Sequence, residues 1–353
     1  MIFESIPIPG EIFIIGYLLA FIISFTITLF LIRFPLNPSS NQISSPGEKK
    51  ITSFGGISVI LAFLTTLWFF QLTGLIDSGH IQLISIISLS TGLMMLLGIY
   101  DDIFNCSARL KLIIQTIIAF ILYYYGFQIE RIGDLIELGN FSVLLTVLWI
   151  VGITNAINLV DGMDGLAPGI IFFSCLTIVF VYLERQIIGA TFFAVILAGS
   201  VLGFFIFNFP PAKIILGDTG SLPLGLIISL ITLLPLKQGY TDEIYYLIPV
   251  ITLLIPIIDT TFAFFRRIFK GTSPFLKDSE HFHHRLGKLG LTPVKSISIL
   301  FLVGFYFDLT ALIPVFNINL IPKFIPIYFI FIIINVAILV AILRRQEKKH
   351  PHD

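Results

Sequence analysis

Asp101, Asp102, Asp161, Asp164 and Asp218 are acids in a sequence where charge is scarce, and almost no Lys or Arg stands beside them. An ionised carboxylate at a bilayer centre costs roughly 2.5–3.5 kcal/mol on insertion scales, so acids in an apolar chain gather at its boundaries or around an ion. Neutral hydrogen-bonding residues accompany them. Asn155 and Asn158 precede Asp161, and Asn208 lies ten residues before Asp218. A basic run from Arg266 to Arg285 encloses His281, His283 and His284. Carboxylates brought to one face, with cationic groups from other loops, make a cage for a divalent cation and phosphates. Hard oxygen ligands of this kind suit Mg2+ or Mn2+.

Each motif alone also fits an ordinary role. Asp101-Asp102 or Asp218 could cap a helix, a position Asp favours. Gly162 and Gly165 could be turn residues. Arg266-Arg267 fits a positive anchor at a membrane face, and Arg344-Arg345 is read as one. Three histidines in four residues could be a transition-metal patch, but no Cys accompanies them, which favours phosphate contacts over zinc. Cys175 lies in an apolar run and reads as packing, and Cys106 as a reduced thiol. Two cysteines make no disulfide framework.

The elements that must carry these residues are apolar. The chain of 353 residues is 56% hydrophobic and 12% charged, where a soluble domain is nearer a quarter charged. The balanced net charge names no nucleic-acid partner. At roughly 20 apolar residues per span, eleven transmembrane helices are expected: 12–32, 55–76, 81–100, 110–129, 141–157, 166–184, 187–209, 219–235, 244–265, 296–315 and 321–343. The first lacks the basic start and short core of a cleaved signal, so it reads as a retained span. The expectation is an all-α, polytopic membrane bundle, a single transmembrane catalytic domain over 1–353 with no inserted soluble unit. Of the 21 Lys and Arg, only Arg131, Arg185, Lys237 and Lys323 fall in one set of loops. The positive-inside rule then puts the N-terminus outside and the C-terminus in the cytoplasm. On that map every dense polar motif lies on the cytoplasmic side, in loops near 33–54, 101–110, 158–166, 208–219 and 266–295.

Taken together, the motifs resemble the polyprenyl-phosphate N-acetylhexosamine-1-phosphate transferases, from about Gly55 to Leu286 and in the family's order. The most specific stretch is Asn155-Ala-Ile-Asn158-Leu-Val-Asp161-Gly-Met-Asp164-Gly-Leu166. Leu97-Gly-Ile-Tyr-Asp101-Asp102 with Ser107-Ala-Arg109-Leu-Lys111 is similar to the family's aspartate-pair loop. Asn208 with Gly217-Asp218-Thr-Gly-Ser, and Asp259 to Arg285, match the remaining two motifs. The chain departs from the pattern at Asp278-Ser279, where branches using small nucleotide-sugars often carry Arg. Its first loop, Glu48 to Gly56, also lacks the usual His and Arg.

The resemblance implies a bacterial cytoplasmic-membrane enzyme that initiates a cell-envelope glycan such as lipopolysaccharide or teichoic acid. Undecaprenyl phosphate would attack the β-phosphorus of a UDP-N-acetylhexosamine and release UMP. The His-x-His-His spacing is closer to branches using N-acetylglucosamine than to the muramoyl-pentapeptide branch, which has three consecutive histidines. By the same analogy Asp218 leads in binding Mg2+ with Asp101 supporting it, and Asp102 orients or deprotonates the lipid phosphate. Lys111 neutralises phosphate. Asp161, Asp164 and Asn208 hold the uridine side with Asn155 and Asn158 nearby. Arg266, His281, His283 and His284 close over diphosphate and sugar, His281 being counted as catalytic. A homodimer is compatible with this reading. Two rivals carry less of the pattern. A secondary transporter would place ionisable groups near the midplane on broken helices in related halves, and no repeat is visible. An intramembrane aspartyl protease leaves Asp161, Asp164 and the histidines without a role. Asp308, well inside a span, has no functional account.

Overall fold

The computed structural model describes residues 10–36, 52–132, 136–269, 271 and 291–316. Hydrocarbon offers no partner to a peptide group, so apolar segments must bond their own backbones, and helices follow. They run α1 (Gly10–Arg33), α2 (Gly56–Leu72), α3 (Ile81–Phe104), α4 (Ala108–Tyr124), α5 (Phe141–Val160), α6 (Leu166–Glu184), α7 (Ile188–Asn208), α8 (Asp218–Lys237), α9 (Ile244–Thr252), α10 (Leu254–Phe269) and α11 (Pro293–Phe316). Seven of them are long and apolar enough to cross a membrane, or eight if α9 and α10 are one bent span. The chain is a multi-pass membrane protein. At 17 residues, α2 and α4 sit at the short end of the spanning range. The expected eleventh span, 321–343, lies outside the described residues. One departure from an all-helical reading is the hairpin of β1 (Arg131–Ile132) and β2 (Ile136–Glu137), whose two-residue strands leave no periodicity to read.

Burial orders the bundle. The apolar window of α8 is 94% buried and that of α1 only 22%, so α8 is the axis and α1 a lipid-facing flank. Helices α3 and α5 lie along α8, and α7 carries α1 on one side and α6 on the other. Small residues set the α1–α7 distance. A Cβ on Gly199 would stand 2.3 Å from the Tyr17 carbonyl oxygen, and one on Gly203 2.6 Å from that of Phe21. Such contacts replace the hydrophobic drive that lipid removes.

The ninth expected span, 244–265, is instead broken. Helices α9 and α10 meet at a 72° bend. Pro256 has no N–H to return to the Thr252 carbonyl four residues back, which releases the helix there. The freed carbonyl accepts from the Ser174 hydroxyl of α6 at 3.0 Å.

Candidate active site

Three helix ends meet at one end of the bundle: the close of α3, the close of α5 and the start of α8. The aspartate pair, expected in a loop, sits in the last turn of α3, which runs on to Phe104 and stops at Asn105. Asn105 adopts φ 53°, the left-handed conformation that ends helices and that Asn tolerates. Ser107 then accepts from Leu110 N–H at 3.3 Å and starts α4, which aims Lys111 back at α3. The Lys111 ammonium lies 2.9 Å from Asp101 Oδ2 and 2.9 Å from Asp218 Oδ2. An ammonium has three N–H donors, so one remains. The Asn158 amide, from α5, donates to Asp218 Oδ1 at 2.9 Å and to Ser221 Oγ at 2.8 Å. Both oxygens of Asp218 are thereby held.

Asp102 faces another way. Its Oδ1 accepts from Asp218 N–H at 3.0 Å, while Oδ2 accepts from Thr219 N–H at 3.0 Å and from the Thr219 hydroxyl at 2.6 Å. A strap of residues 52–56 supports the same corner. Ile215 N–H donates to Thr52 O at 3.0 Å, and Gly55 and Gly56 donate to Ile215 O and Leu216 O at 2.9 and 3.0 Å. Gly56 cannot be enlarged, because its Cβ would fall 2.1 Å from Gly220 Cα.

The Asp161–Gly165 turn adjoins this cluster. Asn208, buried, accepts from Gly165 N–H at 2.8 Å and donates to Ile214 O at 2.8 Å, so one amide clasps two loops. Asp164 accepts from Ala212 N–H at 3.3 Å. Desolvation first, then the negative charges of Asp218, Asp102 and Asp164, push the Asp161 carboxyl well above the usual carboxylate range. Asn155 donates to Gln115 Oε1 at 2.5 Å and to Val151 O at 2.7 Å, tying α5 to α4.

The structure therefore gathers Asp101, Asp102, Lys111, Asn158 and Asp218 into one hydrogen-bonded cluster, with Asp161, Asp164 and Asn208 in the adjoining loops. Asn155 stands one turn before Asn158. Arg266 stands in the last turn of α10, and α10 packs on α5. His281, His283 and His284 lie outside the described residues. Sequence reading missed Gln115, and it named Ser221 and the first loop only as parts of motifs, without the contacts they make here. Gln115 was findable, since it follows Lys111 by four residues and shares its helix face.

Among the described residues no three of His, Cys, Asp and Glu converge on one point. Mg2+ needs no such cage, because it keeps waters and takes one or two carboxylates with substrate phosphates. Asp101 Oδ1 is buried without a hydrogen-bond partner, and its twin oxygen shares Lys111 with Asp218. That donor set fits a hard divalent cation. Beside it an apolar groove of about 450 Å³ opens between α3 and α4, with Tyr100 and Leu110 at the cluster end and Leu93 and Ile121 further along.

The profile of glycosyl transferase family 4 matches residues 83–235, which hold the whole of this cluster. The chain is 36% identical over 283 residues to a Bacillus subtilis protein described as a probable undecaprenyl-phosphate N-acetylglucosaminyl 1-phosphate transferase, covering 78% of this chain and 76% of that one. It is 32% identical over 256 residues to the phospho-N-acetylmuramoyl-pentapeptide-transferase of Thermotoga maritima, with 69% and 81% covered. A Mycolicibacterium smegmatis decaprenyl-phosphate N-acetylglucosaminephosphotransferase is 35% identical over 236 residues, with 60% and 58% covered.

Proposed function

The chain belongs to glycosyl transferase family 4 as a polyprenyl-phosphate sugar-1-phosphate transferase, and from that premise we propose that it moves N-acetylglucosamine 1-phosphate from UDP-N-acetylglucosamine to undecaprenyl phosphate. The observation that carries this reading is the Asp101–Lys111–Asp218–Asn158 cluster at one end of an apolar bundle. An acceptor phosphate oxygen forms a bond to the β-phosphorus. The bond between the β-phosphorus and the bridging oxygen breaks, and its electron pair leaves on that oxygen as part of UMP. Two anions must meet, so the site has to supply countercharge and alignment more than covalent chemistry.

Lys111 brings the cation and keeps one N–H open for a phosphate oxygen. Asn158 fixes the Asp218 carboxylate, and Asp101, tied to the same ammonium through one oxygen, keeps its other oxygen buried without a partner. Mg2+ or Mn2+ held by Asp218 and Asp101 would offset charge on the diphosphate. Asp161, Asp164 and Asn208 shape the uridine side. Arg266, in the last turn of α10, and His281, His283 and His284 are assigned to the diphosphate and sugar. The groove between α3 and α4 lets the isoprenoid tail stay in hydrocarbon while its head group meets Lys111.

The bundle has eleven spans in a bacterial cytoplasmic membrane, N-terminus outside, with the site on the cytoplasmic face and the product starting an envelope glycan. The muramoyl-pentapeptide relative makes the donor the point to test. Purified protein is given undecaprenyl phosphate, Mg2+ and, in turn, UDP-N-acetylglucosamine, UDP-N-acetylgalactosamine and UDP-N-acetylmuramoyl-pentapeptide. Highest kcat/KM with the first is expected. Preference for the muramoyl peptide would overturn the donor assignment.

A further inference from the structure

Helix α8 starts at Asp218 and needs acceptors for its first N–H groups, because these have no partner inside the helix. The residue that would ordinarily provide one is Gly217, which has no side chain. It cannot have one. Its φ is 72°, and a Cβ there would sit 2.1 Å from Ser53 O and 2.7 Å from Asp102 Oδ2. The cap comes instead from another helix. Asp102, 116 positions earlier, takes the N–H groups of Asp218 and Thr219 and the Thr219 hydroxyl at 2.6–3.0 Å. A carboxylate is well placed at a helix N-terminus, where orphan donors and the helix dipole favour negative charge. Gly98, one turn before Asp102, makes this possible. A Cβ there would meet the Asp218 carbonyl oxygen at 2.2 Å, so α3 lies directly on the first turn of α8.

Both oxygens of Asp102 are thus engaged in holding backbone, whereas neighbouring Asp101 keeps a buried oxygen without a partner. We infer that Asp102 is a positioning residue: it fixes the Asp218 carboxylate by capping α8 from α3, and it does not handle the acceptor phosphate. This reverses the role that family resemblance gave it, and it rests on the reading of Asp218 as a ligand of the metal–diphosphate unit.

The two roles differ in which kinetic constant they move. Asp102→Asn keeps an oxygen that can accept from the Asp218 or Thr219 N–H, Asp102→Ala keeps none, and Thr219→Val removes only the hydroxyl. With a cap, kcat falls in the order wild type, Asn, Ala. The loss is on the order of 10–100-fold, as for outer groups that orient metal ligands. The Mg2+ concentration for half-maximal rate rises in the same order, and KM for undecaprenyl phosphate stays within about twofold. Asp102→Asn combined with Thr219→Val should lose less than the product of the single losses, since both act on one contact. Should Asp102→Ala fail to fold, the Asn and Thr219→Val series carries the comparison. The proposal is overturned if Asn and Ala are equally inactive in folded protein, or if acceptor KM rises while Mg2+ half-saturation is unmoved. Asp218→Asn is run alongside. If it retains wild-type activity, the reading of Asp218 fails, and the cap geometry then has no catalytic consequence.

Discussion

Lys111 holds two carboxylates at once, and that arrangement can be tested without substrate. Removing the ammonium leaves Asp101 and Asp218 facing one another with less than a quarter of either side chain exposed. Lys111→Met should lower stability in chelator by about 1–3 kcal/mol, the cost of stranding a buried polar partner. If a divalent cation uses the same two aspartates, adding Mg2+ should raise the Tm of Lys111→Met more than that of wild type. Equal Mg2+ responses would place the metal elsewhere. Asp161 makes a second prediction. Its folded pKa lies above its unfolded one, so between the two values the folded state binds more protons and stability falls as pH rises. Asp161→Asn should therefore stabilise metal-free protein more at pH 8 than at pH 5. A constant difference across that range would show that its surroundings do not penalise the charge. These residue types were legible in the sequence because acids so rarely occur in apolar chains. What each one touches was not. Asp101 and Asp102 are adjacent in sequence and point to different partners, which only the crossing of α3 over α8 decides.

At the scale of the element, helices were legible wherever the apolar run was long, but their ends were less so. Span three was expected to stop at 100 and span four to start at 110, whereas α3 runs on to Phe104 before Asn105 stops it and Ser107 caps α4 from Ala108. The bend between α9 and α10 was not legible as a bend. Proline releases a carbonyl, but whether the chain breaks depends on a partner such as Ser174 arriving from α6. The groove between α3 and α4 belongs to this scale too. A bulky side chain at Ile114, midway along it, should obstruct an isoprenoid tail without touching the cluster. Ile114→Trp should raise KM for undecaprenyl phosphate severalfold and leave KM for a short-chain polyprenyl phosphate nearly unchanged. Equal effects on both acceptors would remove the groove from the lipid's path.

For the molecule as a whole, the polar end of the bundle has to face the compartment that holds the nucleotide-sugar. The charge bias of the loops predicts that side as cytoplasmic. A cysteine introduced at Lys213, in the loop before α8, should be labelled by a membrane-impermeant maleimide only after cells are opened. One introduced at Glu137 in the hairpin should be labelled in intact cells. The reverse pattern would invert the topology and separate the site from its donor. Sequence alone carried the membrane class and the clustering at one face. It did not carry α8 as the axis, because α8 is the most buried span and yet less apolar than α3, α5 and α7 beside it.

The central claim is that a sugar phosphate moves, and not a sugar alone. It is tested most directly by giving purified protein undecaprenyl phosphate, Mg2+ and UDP-N-acetylglucosamine carrying 32P in either the α or the β position. The account predicts that β-label enters the lipid, that α-label leaves as UMP, and that Asp218→Asn abolishes both. Lipid that gains the sugar while the β-label departs as UDP, or label transfer undiminished by Asp218→Asn, would contradict it.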